Sequence, residues 1–182
     1  MLLRLRKAVP SALIWLCTLV GCGGEPPAYA PPAQRPTATE PDPVPGLNRF
    51  VRMGDINAAA YIVRDIGHSL QGEGWRWASQ APEMRFYLLM IDDVKFRMEF
   101  ALPPVTFKQT GPVTLSYFVN GKLLDRVAYD KPGHHRFERL VPREYLRPDA
   151  INMVAIQPDK LYVDKDDGSQ LSFALSSAGF VR

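Results

Sequence analysis

Cysteine, histidine and excess charge are scarce in this chain. Of its 182 residues two are cysteines, Cys17 and Cys22, and none falls between Asn48 and Arg182. That part therefore has neither a disulfide framework nor thiolate metal ligands. The three histidines are His68, His134 and His135, with no His-Glu-x-x-His arrangement, so zinc hydrolysis has no support. On an extended strand His134 and His135 face opposite ways and do not share one metal. There is no Gly-x-Ser-x-Gly elbow and no phosphate-binding glycine loop. Carboxylates sit in several loops, but sequence does not place any two at the separation glycoside hydrolysis requires. No catalytic residue is nominated, and a non-enzymatic protein is expected. Long amphipathic helices are also missing, as is any basic module interleaved with aromatics of the RNA-binding sort.

The one long apolar run is Ala8 to Val20, preceded by Arg4, Arg6 and Lys7 and followed by the small Gly21. This is the profile of an export signal. As a helix the run reaches only about 20 Å at 1.5 Å per residue, against a hydrocarbon core about 30 Å thick, so cleavage rather than spanning is expected. Leu19-Val20-Gly21-Cys22 resembles the lipobox of bacterial lipoproteins. The resemblance implies that residues 1–21 are removed as signal peptide and that Cys22 carries a thioether-linked diacylglycerol. A further acyl chain, palmitate for example, usually sits on the new amine. It implies a lipid-anchored protein of the bacterial cell envelope. Gly23 stands where an aspartate commonly retains such proteins at the inner membrane, so the outer one is expected if there are two. Several acyl chains anchor firmly where one is marginal, and membrane contact is expected through lipid alone. Loss of Arg4, Arg6 and Lys7 leaves 19 of the 22 basic side chains against 19 acidic ones. Net charge thus gives no argument for a nucleic-acid partner.

Residues 22–47 are the second segment, with Pro26, Pro27, Pro31, Pro32, Pro36, Pro41, Pro43 and Pro45 and almost no large apolar side chains. Such a composition does not offset its ordering entropy and predicts a disordered, proline-rich linker. At about 3.1 Å per residue in polyproline geometry, it reaches on the order of 75 Å.

Residues 48–182 have the size and punctuation of one β domain. Phe96, Met98, Phe100 and Leu102 alternate with Arg97, Glu99 and Ala101, the pattern of a half-buried strand. Val113–Val119 and Lys122–Tyr129 flank Asn120-Gly121, the signature of a type I′ hairpin. Further strands are predicted at Tyr61–Asp65, Arg85–Ile91, His135–Val141, Ile151–Gln157 and Gln170–Ser176, with Asp92-Asp93 as a hairpin turn. In the last strand Leu171, Phe173 and Leu175 are expected inward and Ser172, Ala174 and Ser176 outward. Helix signals are confined to Asp55–Ala60 and to Pro142–Leu146. Seven or eight short strands at this spacing predict an all-β, antiparallel β-sandwich, with an up-and-down barrel as the alternative.

Gly74-Trp75-Arg76-Trp77, Val119-Asn120-Gly121-Lys122, Pro142, Ile151-Asn152 and Pro158 with Asp164 to Gly168 before Leu171-Ser172-Phe173 give a further likeness. Together they resemble galactose-binding-like jelly-roll domains, accessory modules of bacterial surface-polysaccharide proteins. The final loop departs from that pattern, reading Asp-Asp-Gly-Ser-Gln-Leu where Asp-x-Arg and Leu-Gly are expected. The resemblance implies a jelly roll and a polysaccharide partner.

Trp75 and Trp77 are two apart, so on a strand both indoles leave one face while Arg76 leaves the other. Exposed, the pair forms a stacking platform for sugar rings, with Arg76 or Glu73 as hydrogen-bonding rim; otherwise one or both rings close the core. Asp164, Asp166 and Asp167 offer the hard oxygens that calcium takes, but the spacing and closing glutamate of a calcium loop are missing, and a solvated turn is the simpler reading. Three functions stay open: a polysaccharide-binding module at Trp75 and Trp77, a structural subunit binding another envelope protein through an apolar patch, or, as the weaker alternative, a glycan-active enzyme.

Overall fold

The computed structural model describes residues 46–182 apart from Glu73. The Leu19–Cys22 stretch, the signal segment and nearly all of the proline-rich linker lie outside the described residues. In chain order the strands are β1 (Phe50–Arg52), β2 (Ile62–Ile66), β3 (Arg76–Leu88), β4 (Lys95–Leu102), β5 (Val113–Val119), β6 (Lys122–Tyr129), β7 (Gly133–Leu140), β8 (Ala150–Pro158), β9 (Tyr162–Val163), β10 (Gln170–Leu171) and β11 (Ala174–Val181). The only α-helix among the described residues is α1 (Pro104–Thr110).

The strands form an antiparallel β-sandwich. One sheet runs β1, β11, β4, β7 and the other β2, β3, β8, β5, β6. The antiparallel pairs β1/β11, β3/β8, β4/β7 and β5/β6, divided this way between two sheets, are the winding of a jelly roll. The outermost strands β6 and β7 do not pair, so the barrel alternative does not apply. Inward side chains meet between the layers: Phe86 packs edge-on to Phe180 at 5.6 Å, and Tyr117 lies flat on Phe137 at 3.7 Å. Phe96, Met98, Phe100 and Leu102 are buried, as their alternation predicts. Asn120 and Gly121 have φ of 49° and 79°, the left-handed pair that a type I′ turn needs.

Several elements differ from the sequence expectation. The strand expected at Arg85–Ile91 is the second half of β3, which begins nine residues earlier at Arg76 and ends at Leu88. Pro82 obscured its first half, because proline has no ladder donor and argues against a central strand. Here it falls where β3 changes sheets: Arg76 and Trp77 pair with β11, and Glu83 to Leu88 pair with β8. Asp92-Asp93 is a turn, but not a hairpin, because β3 and β4 lie in different sheets and do not pair.

The predicted strand Gln170–Ser176 is split into β10 and β11, and β11 continues to Val181. Ser172 is buried rather than outward, and its hydroxyl donates to the carbonyls of Ala78 and Ser79; Ala174 lies on the outer face as expected, though it is covered there. A bulge between Leu175 and Ser177 then moves the inward set to Ala178 and Phe180. Pro103-Pro104 opens α1, a helix outside the two segments where helix signals were expected, with Pro104 in the first turn and Gly111 as cap. Leu47, assigned to the linker by sequence, is buried in the core.

Candidate functional site

The strand registers set the site. Trp77 pairs with Ala174, Ala174 with Ala101, and Ala101 with His134, so these four side chains form a row across the outer face of the β11–β4–β7 sheet. The next row is Ser177, Glu99 and Arg136. The two alanines leave a trough between the indoles and the imidazole. Trp75 and Trp77 are each half-buried and meet edge to face, centroids 5.2 Å apart at 89°. They are neither fully exposed nor sealed in the core.

A tight turn holds Trp75. The Gln71 N–H donates to the Trp75 carbonyl at 2.8 Å and the Gly74 N–H to that of Gln71 at 3.1 Å. The indole edge lies over Gly72, so that a Cβ there would stand 3.0 Å from Nε1. Glu73, the other expected rim residue, lies outside the described residues.

Around the trough, Trp75, Pro103, Pro104, Gly133, His134, Ala174 and Ser176 line a cleft of about 250 Å³. It runs on into a second hollow of about 300 Å³ walled by Glu99, His134, Arg136 and Ser176. Apolar surface is thus bordered by an imidazole, a hydroxyl, a carboxylate and a guanidinium. Arg136 and Arg97 donate to the Glu138 Oε2 at 2.7 and 2.8 Å, and these bonds hold the Glu138 carboxyl down at about 2. The partnership fixes Arg136 at the end of the trough.

Arg76 is not part of the rim. It leaves the opposite face of β3, is 9% exposed, and donates to the backbone carbonyls of Met53, Gly67 and His68. Its work is to tie the segments before β2 and after it to β3. His134 and His135 diverge as expected: His134 lines the cleft, whereas His135 stacks on Phe100 at 5.5 Å and bonds to the Lys131 carbonyl. Asp164 and Asp167 accept from the backbone N–H of Asp166 and Ser169, the bonds of a self-contained turn. The bonds from Ser169 lower the Asp167 pKa. Among the described residues no three histidine or carboxylate side chains gather where they could hold a metal.

Sequence reasoning missed His134, Ala101, Ala174 and Ser176 as site residues. Each is unremarkable in its own segment, and only long-range register aligns them.

No protein-family model matches the chain, and no curated protein matches it in sequence. Among solved structures it is similar in fold to a family 35 carbohydrate binding module from an environmental isolate, at 8% identity over 73% of this chain and 92% of the other, TM-score 0.45. It is similar also to the CBM36-1 domain of a multidomain xylanase from the hindgut metagenome of Trinervitermes trinervoides, at 7% identity over 73% and 95%, TM-score 0.43. A third is the CBM35 from Cellvibrio japonicus Abf62, at 11% identity over 73% and 93%, TM-score 0.40. At this distance the similarity carries nothing about a ligand.

Proposed function

We propose that the domain is a non-catalytic module that binds an envelope or extracellular polysaccharide in the cleft between Trp75 and His134, held at a bacterial membrane by lipid on Cys22. The observation that carries this reading is the half-buried, edge-to-face indole pair beside an alanine-floored trough with polar groups along its border. Indole faces stack on the apolar C–H faces of sugar rings, and His134, Ser176, Glu99 and Arg136 are placed to bond ring hydroxyls. An open trough admits an internal stretch of polymer, because neither end of the bound segment needs to be enclosed.

Trp15 lies in the signal segment, so Trp75 and Trp77 are the only indoles in residues 22–182. Their emission therefore reports the cleft directly. Titration with purified envelope polysaccharides is expected to give a saturable change with one of them, and Trp75→Ala to weaken that affinity about tenfold, or about 1.4 kcal/mol. Emission indifferent to every glycan, with one envelope protein co-purifying stoichiometrically, would shift the function to the structural-subunit reading.

A further inference from the structure

We propose that the end of the sandwich formed by Leu89, Met90, Arg49 and Arg182 docks on an anionic lipid bilayer, the one to which Cys22 is anchored; this rests on the lipid anchor read from Leu19–Cys22. Just past the end of β3, two consecutive large apolar side chains stand in solvent, Leu89 at 64% and Met90 at 54% exposure. With Leu88, Val94, Phe180 and Val181 they line a shallow hollow of about 150 Å³ whose other walls are Arg49 and Arg182. Asp92, on the same loop, is engaged by Arg143 at 2.5 Å. An apolar knuckle flanked by guanidinium groups fits a membrane interface, where the apolar tip enters the headgroup and acyl boundary and the arginines meet lipid phosphates.

Connectivity selects lipid over other occupants. The chain enters β1 through Arg49, at the same end as Leu89 and Met90, and only 23 residues separate Gly46 from Cys22. A covalent tether of that length keeps this end within reach of the bilayer at an effective concentration on the order of millimolar, so a weak contact is populated. The Trp75–His134 cleft lies toward the opposite end of β11, about 20 Å away along the strand from Phe180 to Ala174. Docking therefore presents the cleft away from the lipid.

The test uses the intact lipoprotein in phosphatidylglycerol–phosphatidylethanolamine vesicles carrying nitroxide-labelled lipid. An environment-sensitive fluorophore is placed on Met90→Cys or, as control at the other end, on Val105→Cys; the domain has no cysteine of its own. Mass spectrometry reads the state of Cys22. Docking predicts that the Met90 label is quenched by nitroxide lipid and shifted to the blue, and that the Val105 label is not. Arg49→Gln and Arg182→Gln are each expected to lower the docked-to-free ratio about five-fold, and salt to act in the same direction. Lipidated protein with both labels equally exposed overturns the docking alone. A Met90 label shielded equally in detergent, by a second copy or a co-purified protein, overturns lipid as the occupant. An unmodified Cys22 overturns the anchor and the docking with it.

Discussion

Gly72 and Trp75 show how narrowly single residues define the cleft. Gly72 has φ of 46°, in the left-handed region, and the Trp75 Nε1 lies 3.0 Å from where its Cβ would be. Gly72→Ala is therefore expected to displace the indole and cost about 1 kcal/mol from the backbone conformation. Glycan affinity should fall several-fold with a melting temperature only a few degrees lower, read by titration and calorimetry on the same preparation. The Trp75, Arg76, Trp77 alternation was legible from strand geometry alone, because it needs only local spacing. What was not legible is the destination of Arg76: its three carbonyl partners come from Met53, Gly67 and His68, which only tertiary packing gathers. The same applies to His134, which meets Ala101 only through the pairing of β4 with β7.

At the scale of elements, β1 depends on one glycine. Gly179 pairs with Phe50, and a Cβ on it would come within 2.4 Å of the Arg49 carbonyl and 2.5 Å of the Phe50 Cα. Backbone atoms cannot swing aside as a flexible side chain does. Gly179→Ala should destabilise the domain by about 3 kcal/mol or detach β1. Hydrogen exchange at Val51 and Met53 distinguishes the two outcomes, since the Met53 N–H is held by the Ser176 carbonyl.

Elements with a complete local signal were read correctly: the Asn120-Gly121 hairpin by its turn chemistry, and β4 by its alternation. Those whose logic is tertiary were not. Pro82 reads as a breaker until β3 is seen to change sheets beside it, and the bulge in β11 erases a period-two pattern that is regular on either side. For α1 the signals were present, proline in the first turn and glycine at the cap, but seven residues are too few to show helical periodicity.

For the molecule as a whole, two groups of ionisable residues bound the pH range of stability. Hydrogen bonds from Arg136 and Arg97 bring the Glu138 carboxyl below its ordinary 4.5 to about 2. Its stabilisation is present above the unfolded value and is lost as pH falls from there toward 2. The group is partly exposed and screened by solvent, so the effect is modest, and Glu138→Gln should flatten the acid side of a melting-temperature profile. At the other limit, burial raises the Tyr117 phenol far above 10.0, and burial likewise raises that of Tyr129, whose hydroxyl lies 2.8 Å away. Stability from this pair is complete below the ordinary phenol value and declines as pH rises past it, because the unfolded chain ionises first. Replacing both residues by phenylalanine should remove that alkaline decline at little cost near neutrality, since neither hydroxyl is then left without its partner.

Finally, β3 runs from the cleft to the end where the chain enters β1, and it belongs to both sheets along the way. If the proposed polymer is held at one end and the proposed lipid anchor at the other, a pull between them acts parallel to the strands. The ladder bonds are loaded together in shear rather than opened one after another, and the molecule is mechanically strongest along the line on which its two ends would be tugged.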